Sequence, residues 1–362
     1  MKELLTFDDV LIAPKFSKIK SRADVDLSVD MKGGNIRLPI ISANMDTVTG
    51  KEMALAMAQN GAIGCLHRFC TPTENAAMLS YATHIGRPPM VSIGLGDAEL
   101  RRAEILLREP TIGAEIFVID VAHGAQAEVA KQALELRRII GRTNNIYVGN
   151  FATADSVAHF LEIAGDAIDG VKVGVGPGSA CTTRIKTGCG IPQLTAIVEI
   201  AKLLENTNLH VIADGGMRTP GDIAKALGAG AHMVMLGGML AGTDETPGEI
   251  VFKNINGVVC PSNLGLPEDE TMYPRFKKYR GSASKESYEA QGKDTNHRTA
   301  EGESFLVPYK GSVANVLKNI EGGLRSAFTY VGAKNIEEFH QKVEFVRITN
   351  SGLRESGAHG KI

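Results

Sequence analysis

Several signals that mark special classes of protein are missing from this chain. No run of Lys or Arg exceeds two residues, and the formal net charge is −2. The sequence therefore lacks the electrostatic footprint of a nucleic-acid or membrane-surface protein. No apolar run approaches the roughly 18 residues that a bilayer-spanning helix needs. We expect no nucleic-acid partner and no membrane association.

Patterns for metal sites and disulfides are also missing. The five cysteines form no C-x-x-C pair, and no two of the nine histidines share metal-ligand spacing. We expect neither a transition-metal site nor a disulfide framework. Residues 1–9 lack the basic-then-apolar pattern of a secretory signal. These features predict a protein of the reducing cytoplasm.

Short apolar runs recur along the chain with amphipathic segments between them. With 362 residues, 43% of them hydrophobic, the chain can bury a large core as one barrel or as two smaller domains. The candidate strands are Leu38–Ser42, Ala62–Leu66, Met90–Ile93, Ile116–Val121, Ile146–Gly149, Val171–Gly174, His210–Ala213 and His232–Leu236. The candidate helices include Lys51–Gln59, Gln126–Ile140, Ala154–Ala164, Gln193–Leu204 and Pro220–Leu227. This alternation implies a parallel sheet.

Eight such units favour a closed (β/α)₈ TIM barrel over a doubly wound open sheet, because glycine clusters follow many of the strands and not only the first. The active site of such a barrel lies at the carboxyl ends of its strands. Polar groups follow the predicted strands at Asn44–Asp46, His67-Arg68, Asp120–His123, Asn150, Cys181, Asp214–Gly216 and Gly237-Gly238. We expect one barrel domain over residues 1–362, with long active-site loops after strands six and eight. The eighth loop forms a flap insertion at about 239–311, and no regulatory domain is inserted.

The sixth loop carries a lone cysteine in the string GVGPGSACTTRIKTG. Its glycines let the backbone approach a ligand closely, and Arg184, Lys186 and the loop amides could lower the pKa of the Cys181 thiol. A small cysteine buried in a tight turn is the alternative. The dense polar context favours a nucleophile.

Glycine pairs follow both strand seven and strand eight. In barrels these two loops often bind phosphate through backbone N–H groups. Gly215-Gly216 and Gly237-Gly238 leave such amides bare, and Asp214 can accept hydrogen bonds from a ribose diol. The sequence therefore predicts a phosphorylated ligand that carries ribose.

Over nearly its whole length the chain resembles the IMP dehydrogenase/GMP reductase family. The resemblance is carried by the cysteine loop and by LTFDDVLIAPK, ISANMDTVTG, IADGGMRTPGDIAKALGAGAHMVMLGGMLAGT and GGLRSAFTYVGA. Lys186 and the short stretch between Gly281 and Glu301 resemble the reductase branch. That stretch leaves no room for the longer dehydrogenase flap with its water-activating Arg-Tyr pair. Tyr279-Arg280-Gly281 and Leu306–Gly311 look more like the dehydrogenase.

The resemblance implies NADPH-dependent reductive deamination of GMP to IMP and ammonia through a thioimidate on cysteine. NAD-dependent oxidation of IMP to XMP is the alternative, and a silent nucleotide sensor is a third reading. The implied catalytic residues are Cys181 as nucleophile, with Thr183 and Glu301 as a proton relay. The implied nucleotide contacts are Ser179, Asp214, Gly215, Gly216, Gly237, Gly238, Ser282, Ala283, Ser284, Arg298, Thr299, Ala300 and Gly302.

The implied cofactor contacts are Ser21, Arg22, Arg68, Asp120, Val121, Ala122, Val175, Gly176, His297, Arg298, Ser326, Ala327, Phe328 and Thr329. Arg22 and Arg68 favour NADPH, because a guanidinium suits a 2′-phosphate. The resemblance also implies a potassium ion on the carbonyls of Gly176, Gly178 and Cys181, and a homotetramer.

Overall fold

The computed structural model describes residues 2–83, 88–109, 113–253, 259–261, 273–290 and 299–357. Within these ranges, eight parallel strands close into a barrel in chain order. Three short strands precede it: β1 (Val10–Ile12), β2 (Val29–Met31) and β3 (Gly34–Ile36). The barrel strands are β4 (Ile40–Ser42), β5 (Ile63–Leu66), β6 (Met90–Ile93), β7 (Ile116–Asp120), β8 (Asn145–Phe151), β9 (Gly170–Val173), β10 (His210–Asp214) and β11 (Met233–Leu236).

The barrel confirms the predicted fold class. Each of the eight predicted strands is present, with ends that differ from the prediction by at most two residues. The last strand returns to the first, since Met235 on β11 pairs with Ile41 on β4. Because these parallel strands are covered on both faces, they read as continuous apolar runs without alternation.

Helices surround the barrel and fill several of its loops. They are α1 (Lys51–Gln59), α2 (Pro72–Ala82), α3 (Asp97–Leu107), α4 (Ala127–Ile140), α5 (Ala154–Ala164), α6 (Thr183–Thr187), α7 (Gln193–Leu204), α8 (Pro220–Gly228), α9 (Lys285–Ala290), α10 (Val313–Val331), α11 (Ile336–Lys342) and α12 (Asn350–Glu355). Within the described ranges, no helix combines the length and apolar character needed to cross a membrane.

The start of α8 illustrates how local sequence fixes these helices. The Thr219 side chain accepts a hydrogen bond from the backbone N–H of Asp222, and the Asp222 carboxylate accepts one from the N–H of Thr219. Pro220 occupies the first helical position, where its missing N–H costs nothing. The preceding glycine loop therefore ends at a defined point, which fixes where Asp214 to Gly216 emerge from β10.

The eighth loop contains its own antiparallel sheet. Its strands are β12 (Val251–Lys253), β13 (Val259–Pro261), β14 (Arg275–Arg280) and β15 (Ser304–Pro308), in the order β13-β12-β14-β15. Two cations of β14 anchor it, one to the start of the eighth loop and one to the loop after β4. The buried Lys277 ammonium donates to three backbone carbonyls within residues 243–246, and the Arg280 guanidinium forms a two-pronged ion pair with Asp46 after β4.

The β2–β3 hairpin lies against the amino ends of the barrel strands, where Lys32 pairs with Asp169 just before β9 and exchanges hydrogen bonds with Asn145 at the start of β8. Strand β1 pairs with β16 (Phe345–Arg347).

A group of histidines lies near the amino ends of β10 and β11. His232 lies between His210 and His340, with ring centroids 5.0 and 5.3 Å away. Its Nδ1 accepts the backbone N–H of Val211 at 3.1 Å. Burial lowers the pKa of His232 to about 3. These histidines pack against one another, and in the described part of the chain no group of three or more His, Cys, Asp or Glu side chains could hold a metal ion.

Candidate active site

A cavity of about 910 Å³ opens at the carboxyl ends of the barrel strands. It is bounded by the loops after the strands, the cysteine loop and the eighth-loop sheet. The predicted residues that line it are Arg68, Asp120, Val121, Ala122, Val175, Gly176, Gly178, Ser179, Cys181, Thr183, Asp214, Gly215, Gly216, Gly237, Gly238, Ser282, Ala283, Glu301 and Gly302. One cavity therefore collects most of the residues that the sequence suggested.

The three predicted catalytic residues form a chain of hydrogen bonds at the wall of this cavity. The Cys181 thiol donates to Thr183 Oγ1 at 3.2 Å, and the Thr183 hydroxyl donates to Glu301 Oε2 at 2.7 Å. A proton can pass along this chain between the sulfur and the carboxylate. The geometry suits a thiol nucleophile with a hydroxyl–carboxylate relay.

The backbone holds the relay together across the loops. The N–H of Thr182 donates to the Glu301 carbonyl at 2.7 Å, and the N–H of Glu303 donates to the Ala180 carbonyl at 2.9 Å. Cys181 pairs with Gly302 as an antiparallel bridge. The carboxylate is therefore positioned by main-chain pairing to the nucleophile loop itself.

Arg184 closes the cysteine loop. Its guanidinium donates to the carbonyl of Val175 at 3.3 Å and to that of Ile191 at 2.5 Å, which ties the two limbs of the loop together. Gly176 has φ +85°, and a Cβ there would meet the Arg184 side chain at 2.5 Å. The glycine is required both by its backbone angle and by the space the arginine occupies.

Bare amides and hydroxyls converge on the nucleotide side of the cavity. Gly215 and Gly216 both have φ +85°, a conformation that favours glycine. A Cβ on Gly238 would lie 2.8 Å from Ser179 Oγ, and one on Gly237 would lie 2.9 Å from the Tyr279 hydroxyl. This concave set of donors matches a phosphate group.

Tyr279 was not among the site residues predicted from the sequence. Its side chain is 3% exposed, and burial raises the pKa of its phenol, so the hydroxyl remains a donor. The residue reaches the cavity because β14 returns over the barrel mouth, which no local pattern indicates. Lys310 also lines the cavity, and its ammonium donates hydrogen bonds to the carbonyls of Gly238 and Met239 at 2.9 and 3.0 Å.

A buried charge network forms the floor of the cavity. Lys172 on β9 is 2% exposed, and its Nζ lies 3.0 Å from Asp120 Oδ1 and 2.8 Å from Asp214 Oδ2. The Asn150 side-chain oxygen also accepts a hydrogen bond from Lys172 Nζ, and the Asn150 Nδ2 donates one to Asp214 Oδ2 at 2.9 Å. Burial disfavours the charged forms of Lys172 and Asp120, but the attraction between the opposite charges outweighs this effect. The pKa of Lys172 is raised and that of Asp120 is lowered.

The predicted cofactor residues fall into two separate groups. Arg68 and Asp120 to Ala122 line the cavity, whereas Ser21, Arg22 and residues 326–329 do not. In the second group, residues 326–329 are part of α10 on the outside of the barrel, and Arg325 of the same helix donates to the Arg22 carbonyl at 3.2 Å. Phe328 is fully buried against Phe339, with ring centroids 3.9 Å apart.

The remaining predicted contacts belong to the eighth loop. Ser284 is 2% exposed and forms a bridge with Gly302 behind the cavity wall. Thr299 is exposed and Ala300 half-buried, and neither lines the cavity. His297 and Arg298 lie outside the described residues.

The family model, the relatives and the solved structure that this chain is similar to all belong to one protein family. Residues 4–359 match the model of the IMP dehydrogenase / GMP reductase domain family. The chain is 39% identical to GMP reductase of Phytophthora infestans, over 95% of this chain and 91% of that protein. It is 31% identical to inosine-5′-monophosphate dehydrogenase of Nitrosopumilus maritimus, over 99% and 98%. A solved structure of GMP reductase from Trypanosoma brucei in complex with guanosine 5′-monophosphate superposes with a TM-score of 0.86 at 28% identity, covering 100% of this chain and 99% of that one.

Proposed function

The chain belongs to the IMP dehydrogenase / GMP reductase family, and from this premise we propose that it reduces GMP to IMP with release of ammonia, using NADPH. The observation that carries the proposal is the hydrogen-bonded chain from Cys181 through Thr183 to Glu301 at the wall of the cavity. Relatives named GMP reductase support the same oxidoreductase chemistry on a purine nucleotide.

The first half of the reaction exchanges an amine for the thiol. The Cys181 sulfur attacks C2 of the guanine ring, and the thiol proton passes through Thr183 toward Glu301. The same relay returns a proton to the ring and the amine, so that the C2–N bond breaks and ammonia leaves. The product is a purine thioimidate on Cys181.

The second half restores the thiol. A nicotinamide cofactor supplies a hydride for C2 when it is bound. The C2–S bond then breaks, IMP leaves, and the Cys181 thiolate takes up a proton through Thr183. The walls of the cavity exclude water from C2 during this step, which protects the thioimidate from hydrolysis.

Substrate recognition follows from the donors and acceptors of the nucleotide side. The amides of Gly215, Gly216, Gly237 and Gly238, with the Ser179 hydroxyl, bind the phosphate. The Asp214 carboxylate accepts hydrogen bonds from the ribose hydroxyls. Ser282, Ala283 and Gly302 of the flap line the cavity and, together with Arg298, complete the nucleotide site, whereas Ser284, Thr299 and Ala300 do not line it.

On the cofactor side, Arg68, the Asp120–Ala122 segment, Val175 and Gly176 hold the nicotinamide half, with His297 and Arg298 from the flap. Ser21, Arg22 and residues 326–329 lie outside the cavity of their own chain. Ser21, Arg22, Ser326, Ala327 and Thr329 serve the cofactor of a second copy, as expected for a homotetramer, whereas the Phe328 side chain is fully buried and does not. Of the two arginines expected at the 2′-phosphate of NADPH, Arg22 keeps that role, whereas Arg68 lies in the cavity with the nicotinamide half.

A potassium ion fits the cysteine loop by its donor chemistry. The carbonyls of Gly176, Gly178 and Cys181 are hard oxygen donors in one short loop. The Gly178 carbonyl accepts the N–H of Cys181 at 3.0 Å, which leaves its second lone pair for an ion. Bound there, the ion would hold the loop around the nucleophile.

The cytoplasm remains the proposed compartment of the protein.

IMP dehydrogenase activity is the second candidate, favoured by the Tyr279–Gly281 segment and by the relative from Nitrosopumilus maritimus. The two activities separate in one assay. With GMP and NADPH the reductase consumes the cofactor and releases an equal amount of ammonia. With IMP and NAD⁺ the dehydrogenase forms XMP and NADH. Cofactor reduction with IMP in the absence of ammonia would reject the reductase.

A further inference from the structure

A fully buried ammonium links two sides of the cavity floor. Lys172 lies in the middle of β9, and the two carboxylates that it contacts come from different strands. Asp120 ends β7 and Asp214 ends β10. Burying an ammonium is costly unless it is paired and hydrogen-bonded. Lys172 meets that condition by bonding to both carboxylates and to the Asn150 side-chain oxygen at once.

The two carboxylates face different ligands in the proposed function. Asp214 lies with the glycines of the nucleotide side, while the backbone carbonyl of Asp120 accepts from Arg68 at 3.5 Å on the cofactor side. Two neighbouring half-buried carboxylates without a shared cation repel each other, which disfavours the ionised form of both. A protonated carboxyl group is a poorer acceptor for a hydroxyl than a carboxylate.

We propose that Lys172 is a positioning residue for both halves of the site, holding Asp214 toward the nucleotide ribose and Asp120 toward the cofactor with one charge. This inference rests on the proposed function, which assigns the two carboxylates to the two ligands. Lys172 touches neither ligand in this scheme. It acts through the carboxylates alone.

The test compares Lys172→Met with Arg137→Met as a matched control. Arg137 is also a buried cation at 7% exposure, and its Nη2 pairs with Asp169 at 2.5 Å. It lies on α4, away from the cavity lining. Both substitutions remove a buried cation and leave a carboxylate behind, so both should lower Tm. Only Lys172→Met should weaken ligand binding.

The binding of GMP alone and of NADPH alone is measured at a temperature below the Tm of every variant. We expect Lys172→Met to raise both Kd values by about tenfold or more, the size that follows from losing a charged hydrogen-bond acceptor. Arg137→Met should leave both Kd values at the wild-type level.

A double variant separates positioning from general damage. Lys172→Met combined with Asp120→Asn leaves Asp214 as the only carboxylate of the pair, still bonded to Asn150. GMP affinity should then recover most of its loss, while NADPH affinity stays low. This split between the two ligands is not expected from a residue that only stabilises the barrel.

Three results would decide against the proposal. If Lys172 is only structural, Lys172→Met behaves like Arg137→Met, and wild-type Kd values in Lys172→Met would reject the positioning role. If Lys172→Met weakens the binding of only one of GMP and NADPH, the proposed role in both halves of the site is rejected. If the double variant binds GMP no better than Lys172→Met, the mechanism through the carboxylates is rejected. Wild-type protein that binds neither GMP nor NADPH would instead refute the proposed function.

Discussion

The Thr183 hydroxyl donates a 2.7 Å hydrogen bond to Glu301 Oε2, although the two residues lie 118 positions apart in the chain. The contact exists because Glu301 to Glu303 pair with the cysteine loop through their backbone. Nucleophile and relay therefore move together when either loop moves. The consequence is that the side chain of Glu301 can be changed while its position is kept by the main chain.

Glu301→Gln tests the relay. The amide has the shape of the carboxylate but cannot take up a proton, so kcat should fall by about 10²–10⁴, the usual range for a general acid–base group. Steady-state NADPH consumption with GMP measures it. Glu303→Gln is the control, because the Glu303 side chain is exposed and the hydrogen bonds that Glu303 makes to other described residues are through its backbone. Equal rates in the two variants would mean that the proton takes another path.

Cys181→Ala tests covalent catalysis. Removing the sulfur abolishes attack on C2 but leaves the phosphate glycines in place, so turnover should vanish while GMP still binds. Calorimetric titration and the turnover assay report the two properties separately. Cys189→Ala removes an exposed thiol from the same loop and should retain activity. Residual turnover in Cys181→Ala would defeat the assignment of the nucleophile.

Arg280→Met tests the anchor between the eighth-loop sheet and the barrel. Its ion pair with Asp46 is largely buried, at 18% and 13% side-chain exposure. Losing it should loosen β14, which carries Tyr279, and lower kcat/KM by about 10- to 100-fold, as expected for hydrogen bonds between charged groups. Lys278→Met is the control, because the Lys278 ion pair with Glu286 is exposed and contributes little. If both variants match wild type, the anchor has no role in catalysis.

His232 predicts how stability depends on pH. Burial lowers its pKa to about 3 in the folded protein, from 6.5 as an unperturbed group. As pH falls below 6.5 the unfolded chain takes up a proton that the folded protein resists, so this contribution to stability is present above pH 6.5 and is lost as pH falls toward 3. Thermal unfolding from neutral to acidic pH measures the slope.

His232→Gln should make that slope shallower, because glutamine does not titrate and its side-chain oxygen can still accept from Val211. The exposed His159 offers the matched substitution, His159→Gln, which should keep the acid slope of the wild type. The opposite ranking of the two slopes would show that His232 is not a source of the acid sensitivity.

The barrel could be predicted from the sequence because each of its strands and helices has a recognisable local sequence pattern. Buried parallel strands give apolar runs, and the limits of Met90–Ile93, Lys51–Gln59 and Ala154–Ala164 agree with the structure residue for residue. The chemistry could be placed as well, because glycines and polar residues follow the strands at the end where barrels carry their sites. The family assignment is confirmed.

What the sequence could not indicate depends on contacts between distant segments. Lys172 sits in an apolar run, and nothing local distinguishes a charge inside the barrel from one at a strand end. Tyr279 reaches the cavity only because β14 folds back over the barrel mouth. Glu301 entered the prediction through the family resemblance alone, and its contact with Thr183 is a property of the fold.

The branch of the family can be decided by the product formed from IMP. Hydrolysis of the thioimidate needs a base that activates water, whereas reduction needs water excluded and the nicotinamide stacked on the purine. The stretch between Gly281 and Glu301 is short, without room for the longer dehydrogenase flap and its Arg-Tyr pair. Glu301 is hydrogen-bonded to Thr183 and committed to the relay. We therefore expect no XMP from IMP with either NAD⁺ or NADP⁺, even where mass spectrometry detects the adduct on Cys181, and IMP with ammonia from GMP and NADPH. Chromatography of the nucleotides gives the answer, and XMP accumulating over many turnovers would assign the protein to the dehydrogenase branch.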